Sequence, residues 1–288
     1  MTTLVLDGGL ATQLESLGAD LRDELWSARL LVEEPELIRQ AHACYFAAGA
    51  DVAITASYQA TLPGFARRGL GAAQAERLLR LSVELAAQAR DEHGRGLVAA
   101  SVGPYGAYLA NGAEYTGDYD LDEDGLYAWH RPRWEILADA GADLLACETI
   151  PSYPEARALA RLLAATPGVK AWVSFSCRDG ERLCDGTPIA EAAALFGGNP
   201  HVVAVGANCT APRHIPGLIG SLSGGLPVVV YPNSGETWDA ENHRWAGLAD
   251  PVEFGQAAKE WQQAGASLIG GCCRTTPEHI RQIRAHLS

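Results

Sequence analysis

The sequence predicts a (β/α)8 barrel that forms a single domain over residues 1–288. Three observations favour this fold: eight short apolar runs recur along the chain, amphipathic helical segments separate them, and polar residues collect where the runs end. Strands that are apolar on both faces and alternate with helices indicate a parallel sheet covered by helices. Eight such units in a chain of 288 residues favour a closed barrel over a doubly wound sheet.

The predicted strands are spread over the whole chain, and each is a short run rich in apolar residues. Runs of this length between helical segments are typical of buried strands in a parallel sheet. No linker, whole-domain repeat or low-complexity tract interrupts the series, so one domain is predicted. The eight runs cover residues 4–8, 51–57, 96–102, 142–149, 170–177, 202–209, 227–232 and 266–273.

Helices are predicted between the strands. Pro35 is expected in the first turn of one helix, where a missing N–H costs no helical hydrogen bond. The last helix is predicted over residues 277–287, with Thr276 as its N-cap and Pro277 as its first residue. A long helix is predicted over residues 72–93, because apolar side chains recur there on one face. That face consists of Ala75, Leu78, Leu79, Leu85, Ala86 and Ala89.

The charge balance excludes some classes of function. The chain has 35 acidic and 22 basic residues and a net charge of −13 at pH 7. It therefore lacks the excess of Lys and Arg that binding to nucleic acid requires, and we expect no nucleic-acid partner. The balance suits a small substrate, including a cationic one. No apolar stretch approaches the ~18 residues of a membrane span, so no membrane association is expected.

The N-terminal sequence and the cysteines indicate the cytoplasm. The start, MTTLVLDGG, lacks the basic residues and the long apolar core of a signal peptide. Seven cysteines is an odd number, and the chain is far longer than small disulfide-bonded scaffolds. We expect a reducing, cytoplasmic compartment, in which thiolates are free to bind a metal.

Polar and ionisable residues follow the predicted strands. In a (β/α)8 barrel the C-terminal ends of all strands surround one cleft, and enzymes with this fold place their chemistry there. We therefore expect residues that are far apart in sequence to converge. The candidates are Asp7 at the end of the first strand, Thr55 and Ser57 in the second, Glu148 in the fourth, Cys209 in the sixth, and Cys272 and Cys273 in the eighth.

Three of the cysteines are suited to one metal ion. Cys272 and Cys273 are adjacent, and Cys209 stands 63 residues earlier at the end of a different strand. Three thiolates would leave the fourth position of a tetrahedral zinc ion open, as in catalytic sites. Neighbouring residues of a strand point to opposite faces, so both adjacent thiols reach one ion only if the strand ends or bends at residues 270–271.

Other interpretations of these residues stay open at this point. A cysteine in an apolar run is usually a small buried side chain, which is our interpretation of Cys44, Cys147, Cys177 and Cys184. An adjacent pair of cysteines also occurs as a vicinal disulfide. For Glu148 the alternative is a salt bridge with an arginine at the top of the barrel.

Several longer motifs resemble the homocysteine S-methyltransferase family, and the resemblance extends over essentially the whole chain. The S-methylmethionine-dependent enzymes of bacteria and plants are the branch that this chain resembles most. The motifs are DGGLAT at 7–12, ITASYQAT at 54–61, SVGPYGAYLANGAEYTGDY at 101–119, CETIPS at 147–152, GANCT at 206–210, YPNSGETWD at 231–239 and GGCCR at 270–274.

The resemblance implies a (β/α)8 barrel in which zinc is bound by Cys209, Cys272 and Cys273. It also implies that Asp7 and Glu148 bind the amino group of homocysteine.

For the carboxylate of homocysteine, the resemblance implies contacts with the backbone of Gly8 and Gly9 and with the hydroxyl of Thr55, with Ser57 as a further candidate. Trp26 falls where the betaine-dependent branch has a tryptophan that contacts the methyl donor. It is therefore our candidate for a donor contact.

The activity that the resemblance implies belongs to methionine biosynthesis. A methyl group would pass from S-methylmethionine, or from S-adenosylmethionine, to the thiol of homocysteine. Betaine is not expected, because Tyr58-Gln59 replace the aromatic donor contacts of the betaine branch and its long C-terminal extension is not found. The folate and cobalamin modules of the large methionine synthases are not found either. We expect a monomer or a small homo-oligomer.

Two other functions compete with methyl transfer. A metal-dependent hydrolase on the same barrel would use histidines, yet the eight histidines form no HxH or HExxH pattern. A zinc or redox thiol protein without catalytic activity would use the cysteine pair, but it would not require Asp7, Glu148 or the Gly8-Gly9 turn.

Overall fold

Eight parallel strands form one sheet that closes into a barrel, as predicted. The computed structural model describes residues 3–21, 26–239, 244–246 and 249–287, without the side chains of residues 26–27, 237–239 and 244–246. A short antiparallel hairpin, β8 and β9, lies outside the barrel. The barrel strands are β1 (Leu4–Val5), β2 (Val52–Ile54), β3 (Leu97–Val102), β4 (Leu144–Ile150), β5 (Ala171–Phe175), β6 (Val202–Asn208), β7 (Val228–Tyr231) and β10 (Ala266–Ile269); the hairpin strands are β8 (Thr237–Asp239) and β9 (Arg244–Ala246).

The barrel closes between its first two strands. The strands are hydrogen-bonded in the order β1-β10-β7-β6-β5-β4-β3-β2. A parallel bridge between Leu6 and Val52 then joins β1 to β2. The backbone N–H of Asp7 donates to the carbonyl of Val52 at 3.0 Å. Asp7 is therefore held at the point of closure.

Every predicted run contains one barrel strand, but most strands end earlier than predicted. The run over 51–57 forms a strand only to Ile54, and the run over 266–273 only to Ile269. The residues beyond these points turn away from the sheet and carry most of the polar groups of the cleft. Apolar content alone does not mark this change of direction.

Helices cover the outside of the sheet. The predicted helix over residues 72–93 is present with those bounds, and Pro35 opens a helix as predicted. Thr276 precedes the last helix, and its N–H and hydroxyl lie 3.2 and 3.0 Å from Nδ1 of His279. The helices are α1 (Leu10–Ser16), α2 (Leu30–Glu33), α3 (Pro35–Ala48), α4 (Leu62–Arg67), α5 (Ala72–His93), α6 (Tyr105–Leu109), α7 (Glu123–Ala138), α8 (Tyr153–Ala165), α9 (Ile189–Ala194), α10 (Ile215–Leu222), α11 (Pro251–Ala264) and α12 (Pro277–Leu287), with 3-10 turns at Trp26–Arg29, Ala113–Tyr115 and Pro212–His214.

The barrel interior is filled by side chains from all eight strands. Its largest members are Trp172 of β5 and Tyr231 of β7, which are both fully buried. The indole N–H of Trp172 donates to the hydroxyl of Tyr231 at 3.0 Å. The interior is thus a packed core, and the hydroxyl of Tyr231 is a buried polar group within it. None of the described helices is long and apolar enough to span a membrane.

Gly206 of β6 lies where the sheet leaves no room for a side chain. A Cβ at this position would be 1.7 Å from the carbonyl oxygen of Val229 in β7. Since that neighbour is backbone, only a shift of the two strands would relieve the clash. Gly220 of α10 differs, because a Cβ there would have no atom within 4 Å.

We therefore expect Gly206→Ala to lower the free energy of unfolding by about 2 kcal/mol or more, since overpacking of this kind strains the backbone. Gly220→Ala is the matched control, and it should raise stability by about 0.5–1 kcal/mol through helix propensity. Denaturant unfolding of both variants tests this. Equal stability of the two would contradict the packing described for β6 and β7.

Candidate metal centre and substrate pocket

The C-terminal ends of the strands bring the predicted cysteines together. The sulfur atoms of Cys209, Cys272 and Cys273 all lie within 4.8 Å of one another, and those of Cys209 and Cys273 are 3.6 Å apart. Tetrahedral metal–sulfur bonds of ~2.3 Å would separate two ligands by about 3.8 Å. The cluster therefore fits a single metal ion and leaves a fourth position for a substrate. No other group of three or more such ligands is found in the described part of the chain.

The two adjacent cysteines reach the cluster because their strand has already ended. After Ile269, the N–H of Gly271 donates to the carbonyl of Asp7 at 3.0 Å, which turns the chain across β1. The N–H of Cys272 then donates to the carbonyl of Pro232 at 2.8 Å, and that of Cys273 to the side-chain oxygen of Asn233 at 3.2 Å. The predicted bend at residues 270–271 is confirmed.

Thr275 stabilises the turn that contains Cys272 and Cys273. Its hydroxyl donates to the carbonyl of Cys272 at 2.7 Å and accepts the N–H of Gly9 at 3.0 Å. A Cβ on Gly271 would lie 2.3 Å from the same hydroxyl, so the close approach needs glycine. The hydroxyl of Tyr45 donates to the carbonyls of Gly9 and Thr275, at 2.8 and 3.1 Å. The cysteine turn and the Gly8-Gly9 turn therefore form one unit.

Cys209 follows β6 in a left-handed backbone conformation, with a φ of 48°. This conformation is uncommon for a residue with a Cβ and ends the strand. The preceding Asn208 is buried, and its side chain exchanges hydrogen bonds of 2.7 Å with the N–H and the hydroxyl of Thr149. The hydroxyl of Tyr115 lies 3.2 Å from the sulfur of Cys209.

Hydrogen bonding within the cluster favours the thiolate form of one thiol, Cys273. Hydrogen bonds from Cys209 and Cys272 lower the pKa of Cys273 well below its usual range. Hydrogen bonding to Cys209 and Cys273, with burial as a further cause, raises the pKa of Cys272. Binding a metal cation would therefore release protons from the cluster.

Asp7 is buried, and half of its carboxylate has no partner. The N–H of Ile54 donates to Oδ2 at 2.8 Å, whereas Oδ1 has no hydrogen-bond partner among the described residues. Burial, reinforced by the nearby charge of Glu148, raises the pKa of Asp7 well above its usual range. A buried acceptor without a donor is costly, so a cationic ligand would be bound favourably at Oδ1.

Glu148 lies opposite, at the end of β4, and it is 6% exposed. The hydroxyls of Ser101 and Tyr231 hydrogen-bond to its carboxylate. Burial nevertheless raises the pKa of Glu148 to about 7. Within the described residues Glu148 makes no ion pair, so the alternative of a salt bridge with an arginine is not supported.

Thr55 and Ser57 are buried, and their hydroxyls are bonded to each other at 2.7 Å. Ser57 donates to the carbonyl of Ser101 at 2.7 Å, and Thr55 accepts the N–H of Ser101 at 3.0 Å. The proton of Thr55 is therefore directed at Ser57. A contact between Thr55 and a substrate carboxylate would require this hydroxyl to rotate.

The glycine turn offers one free donor. The N–H of Gly9 is bonded to Thr275, whereas that of Gly8 has no hydrogen-bond partner among the described residues. Gly8 is therefore the better placed of the two for a substrate carboxylate. Trp26 begins a 3-10 turn, but its side chain lies outside the described part of the structure.

The remaining cysteines follow their predicted role in part. Cys147 and Cys177 are buried, as expected for small apolar side chains, whereas Cys44 and Cys184 are only half-buried. All seven cysteines are free thiols, so the adjacent pair forms no vicinal disulfide.

Several residues of the site did not follow from the sequence. Thr275, Asn208 and Asn233 act through hydrogen bonds to backbone groups, and no spacing rule reveals such bonds. Tyr115 comes from a loop, which no strand pattern places near a thiol. The available signal was that Tyr115, Asn208 and Asn233 fall inside the motifs at 101–119, 206–210 and 231–239.

Comparison with known proteins gives one consistent family. A family model described as homocysteine S-methyltransferase matches residues 4–287. Homocysteine S-methyltransferase YbgG of Bacillus subtilis is 53% identical, covering 98% of this chain and 93% of its own. Homocysteine S-methyltransferase 1 of Zea mays is 48% identical, covering 97% and 92%. The crystal structure of the homocysteine methyltransferase MmuM from Escherichia coli, in its metallated form, has a TM-score of 0.89 at 51% identity and covers 99% of this chain and 96% of that chain.

The raised pKa of Glu148 predicts that the metal-free protein loses stability as the pH rises. A carboxyl group with a folded pKa of about 7, against 4.5 unfolded, binds its proton more tightly in the folded state. Its contribution is fully present below pH 4.5 and is lost as the pH rises through about 7, a change of roughly 3 kcal/mol.

Glu148→Gln should remove this part of the pH dependence, because the amide does not titrate. Unfolding free energies of chelator-treated protein between pH 5 and pH 8 test the prediction. Glu135→Gln, at the surface of α7, is the control and should behave like the unaltered protein. Parallel curves for the unaltered protein and Glu148→Gln would show that Glu148 titrates normally.

Proposed function

The chain belongs to the homocysteine S-methyltransferase family, and we propose that it transfers a methyl group from a sulfonium donor to the sulfur of homocysteine, forming methionine, with zinc bound by Cys209, Cys272 and Cys273. The observation that carries this proposal is the cluster of three thiols within 4.8 Å beside two buried carboxylates.

Zinc suits this ligand set better than the harder divalent cations, which prefer oxygen ligands. A free alkyl thiol, with a pKa near ~8.5, is mostly protonated at neutral pH and is a poor nucleophile. When bound, zinc would lower the pKa of the substrate thiol and so maintain it as a thiolate. Three cysteine thiolates keep the protein part of the site anionic, which preserves electron density on the substrate sulfur.

Two carboxylates are suited to the amino group of homocysteine. The unpartnered Oδ1 of Asp7 and the carboxylate of Glu148 accept hydrogen bonds, and an ammonium group offers three donors. The N–H of Gly8, together with Gly9 and the hydroxyls of Thr55 and Ser57, is proposed for the substrate carboxylate. Binding the ammonium would favour the ionised forms of both acids.

The transfer itself needs alignment more than acid–base chemistry. The electron pair of the homocysteine sulfur forms the new bond to the methyl carbon while the bond from that carbon to the donor sulfur breaks. The pair of the broken bond stays on the donor sulfur, which leaves as a neutral thioether. No general acid is required, so the contribution of the protein is to hold the two sulfurs in line with the methyl group.

S-Methylmethionine is the donor that we propose, with S-adenosylmethionine as the weaker alternative. Both are sulfoniums, and an anionic cleft attracts them. The adenosyl group would need further space and stacking partners. Trp26 remains the candidate for a cation–π contact that the sequence predicted. The seven free thiols also support a reducing, cytoplasmic location.

The competing functions find less support. A hydrolase would be expected to place histidines near the metal, but the one ligand group in the described part of the chain consists of cysteines. A redox thiol protein would not need a buried, half-unpartnered Asp7 beside the thiols. Thiol alkylation rather than hydrolysis is therefore the activity to assay.

A donor panel tests the proposed function directly. With homocysteine saturating, kcat/KM should be highest for S-methylmethionine, lower for S-adenosylmethionine and near zero for betaine. Protein treated with a chelator should lose the activity and regain it with zinc. The highest kcat/KM for betaine, or for S-adenosylmethionine by a wide margin, would refute the donor assignment. A lack of methyl transfer from every donor would refute the function.

Replacing one ligand should remove the metal without unfolding the barrel. We expect Cys272→Ala to lose zinc and activity together, because two thiolates hold the ion far more weakly than three. Cys44→Ala, on α3, is the control and should retain one zinc per chain. Metal analysis and circular dichroism measure both quantities. Full zinc occupancy in Cys272→Ala would show that the ion lies elsewhere.

A further inference from the structure

One loop of the barrel contacts the thiol cluster, and its residues are not among those proposed to bind homocysteine. It forms the 3-10 turn Ala113–Tyr115, between β3 and α7. The hydroxyl of Tyr115 lies 3.2 Å from the sulfur of Cys209, yet the residue is 50% exposed. Its ring therefore forms part of the wall of the cleft beside the metal ligands.

Glu114 precedes it and carries an unsatisfied acceptor. Its Oε2 is buried and has no hydrogen-bond partner in the described residues. No ion pair of Glu114 is found there either. Burial, with the charge of Cys209 as a further cause, raises the pKa of Glu114.

The turn is anchored rather than loose. The hydroxyl of Ser176, after β5, donates to the carbonyl of Glu114 at 2.9 Å. The N–H of Ala113 donates to the side chain of Asn111 at 3.1 Å. Glu114 and Tyr115 are therefore held at fixed positions in a turn that contacts Cys209.

The reaction brings two zwitterionic amino acids to one cleft, and each has an ammonium group that needs acceptors. Asp7 and Glu148 are assigned to homocysteine, so the second ammonium needs another carboxylate. Glu236 is paired with Arg274 at 2.7 Å, next to Cys273 in sequence, whereas Glu114 has no ion pair among the described residues and is assigned to no ligand. A sulfonium also prefers an aromatic face to an apolar wall.

We propose that Glu114 and Tyr115 form the subsite for the methyl donor: the carboxylate of Glu114 accepts the donor ammonium, and the ring of Tyr115 lies against the sulfonium. This inference rests on the proposed function and names the residues that bind its second substrate. Because Tyr115 also contacts Cys209, the subsite positions the donor methyl group near the substrate sulfur.

The test compares two donors on Glu114→Gln. One donor is S-methylmethionine, and the other is dimethylsulfoniobutyrate, the same molecule without its amino group. The variant should raise the KM for S-methylmethionine about ten- to a hundred-fold, the usual range for a charge-assisted contact. The KM values for dimethylsulfoniobutyrate and for homocysteine should stay unchanged. Glu135→Gln, with a side chain 61% exposed on α7, is the matched control and should change none of the three.

Two results would overturn the assignment of Glu114. An equal rise in KM for both donors would show that its carboxylate does not recognise the amino group. A rise in the KM for homocysteine alone would place Glu114 in the other pocket. Calorimetric binding of S-methylmethionine to the zinc-loaded protein adds a readout that does not depend on turnover. Weaker binding by Glu114→Gln supports the subsite even if the transfer reaction is not observed, and unchanged binding refutes it.

Tyr115 is tested by removing the ring or only the hydroxyl. Tyr115→Leu should raise the KM for both donors alike, by roughly two- to thirty-fold. Tyr115→Phe keeps the ring and should retain most of the donor affinity. Zinc content and chelator competition show whether loss of the hydroxyl beside Cys209 weakens the metal site. Unchanged donor KM values in Tyr115→Leu would refute the role of the ring.

Discussion

The hydrogen bond from the N–H of Gly271 to the carbonyl of Asp7 joins the last strand to the first, and the site depends on it. On one side of this bond the chain turns into Cys272 and Cys273; on the other it carries the Asp7 carboxylate. Thr275 repeats the connection one turn later by binding both Gly9 and the carbonyl of Cys272. The proposed ligands of the metal and the proposed acceptor for the substrate are therefore positioned by the same contact between the last strand and the first.

The cleft concentrates acidic groups, and its three carboxylates have no ion pair among the described residues. Asp7 and Glu148 are buried, Glu114 has a buried oxygen, and three thiols cluster at the same end of the barrel. Such an arrangement opposes folding, because charged groups lose their hydration and repel one another. With the proposed function, the metal and the ammonium groups of two substrates would supply positive charge. Binding these ligands would then offset part of the stability that the acidic groups cost the empty protein.

The fold and the thiol cluster could be predicted from the sequence, since eight apolar runs and the cysteines at their ends are local features. Strand ends were less predictable: residues 270–273 continue an apolar pattern but leave the sheet through bonds to β1 and the loop after β7. The state of Thr55 was not predictable either, because its proton is directed by Ser57 and Ser101. Sequence patterns place a side chain in a cleft, but they do not say which of its donors is already engaged.

The contact between the last strand and the first also determines when the site can form during synthesis. Cys209 emerges from the ribosome 64 residues before Cys273, with β7 and β10 still to come. Until residues 271–273 have emerged and β10 has docked between β1 and β7, a nascent chain presents one of the three thiols and an open sheet edge. An ion that needs all three ligands favours the completed barrel over every shorter intermediate. Binding of the proposed metal is therefore expected late in folding, because it requires the completed barrel.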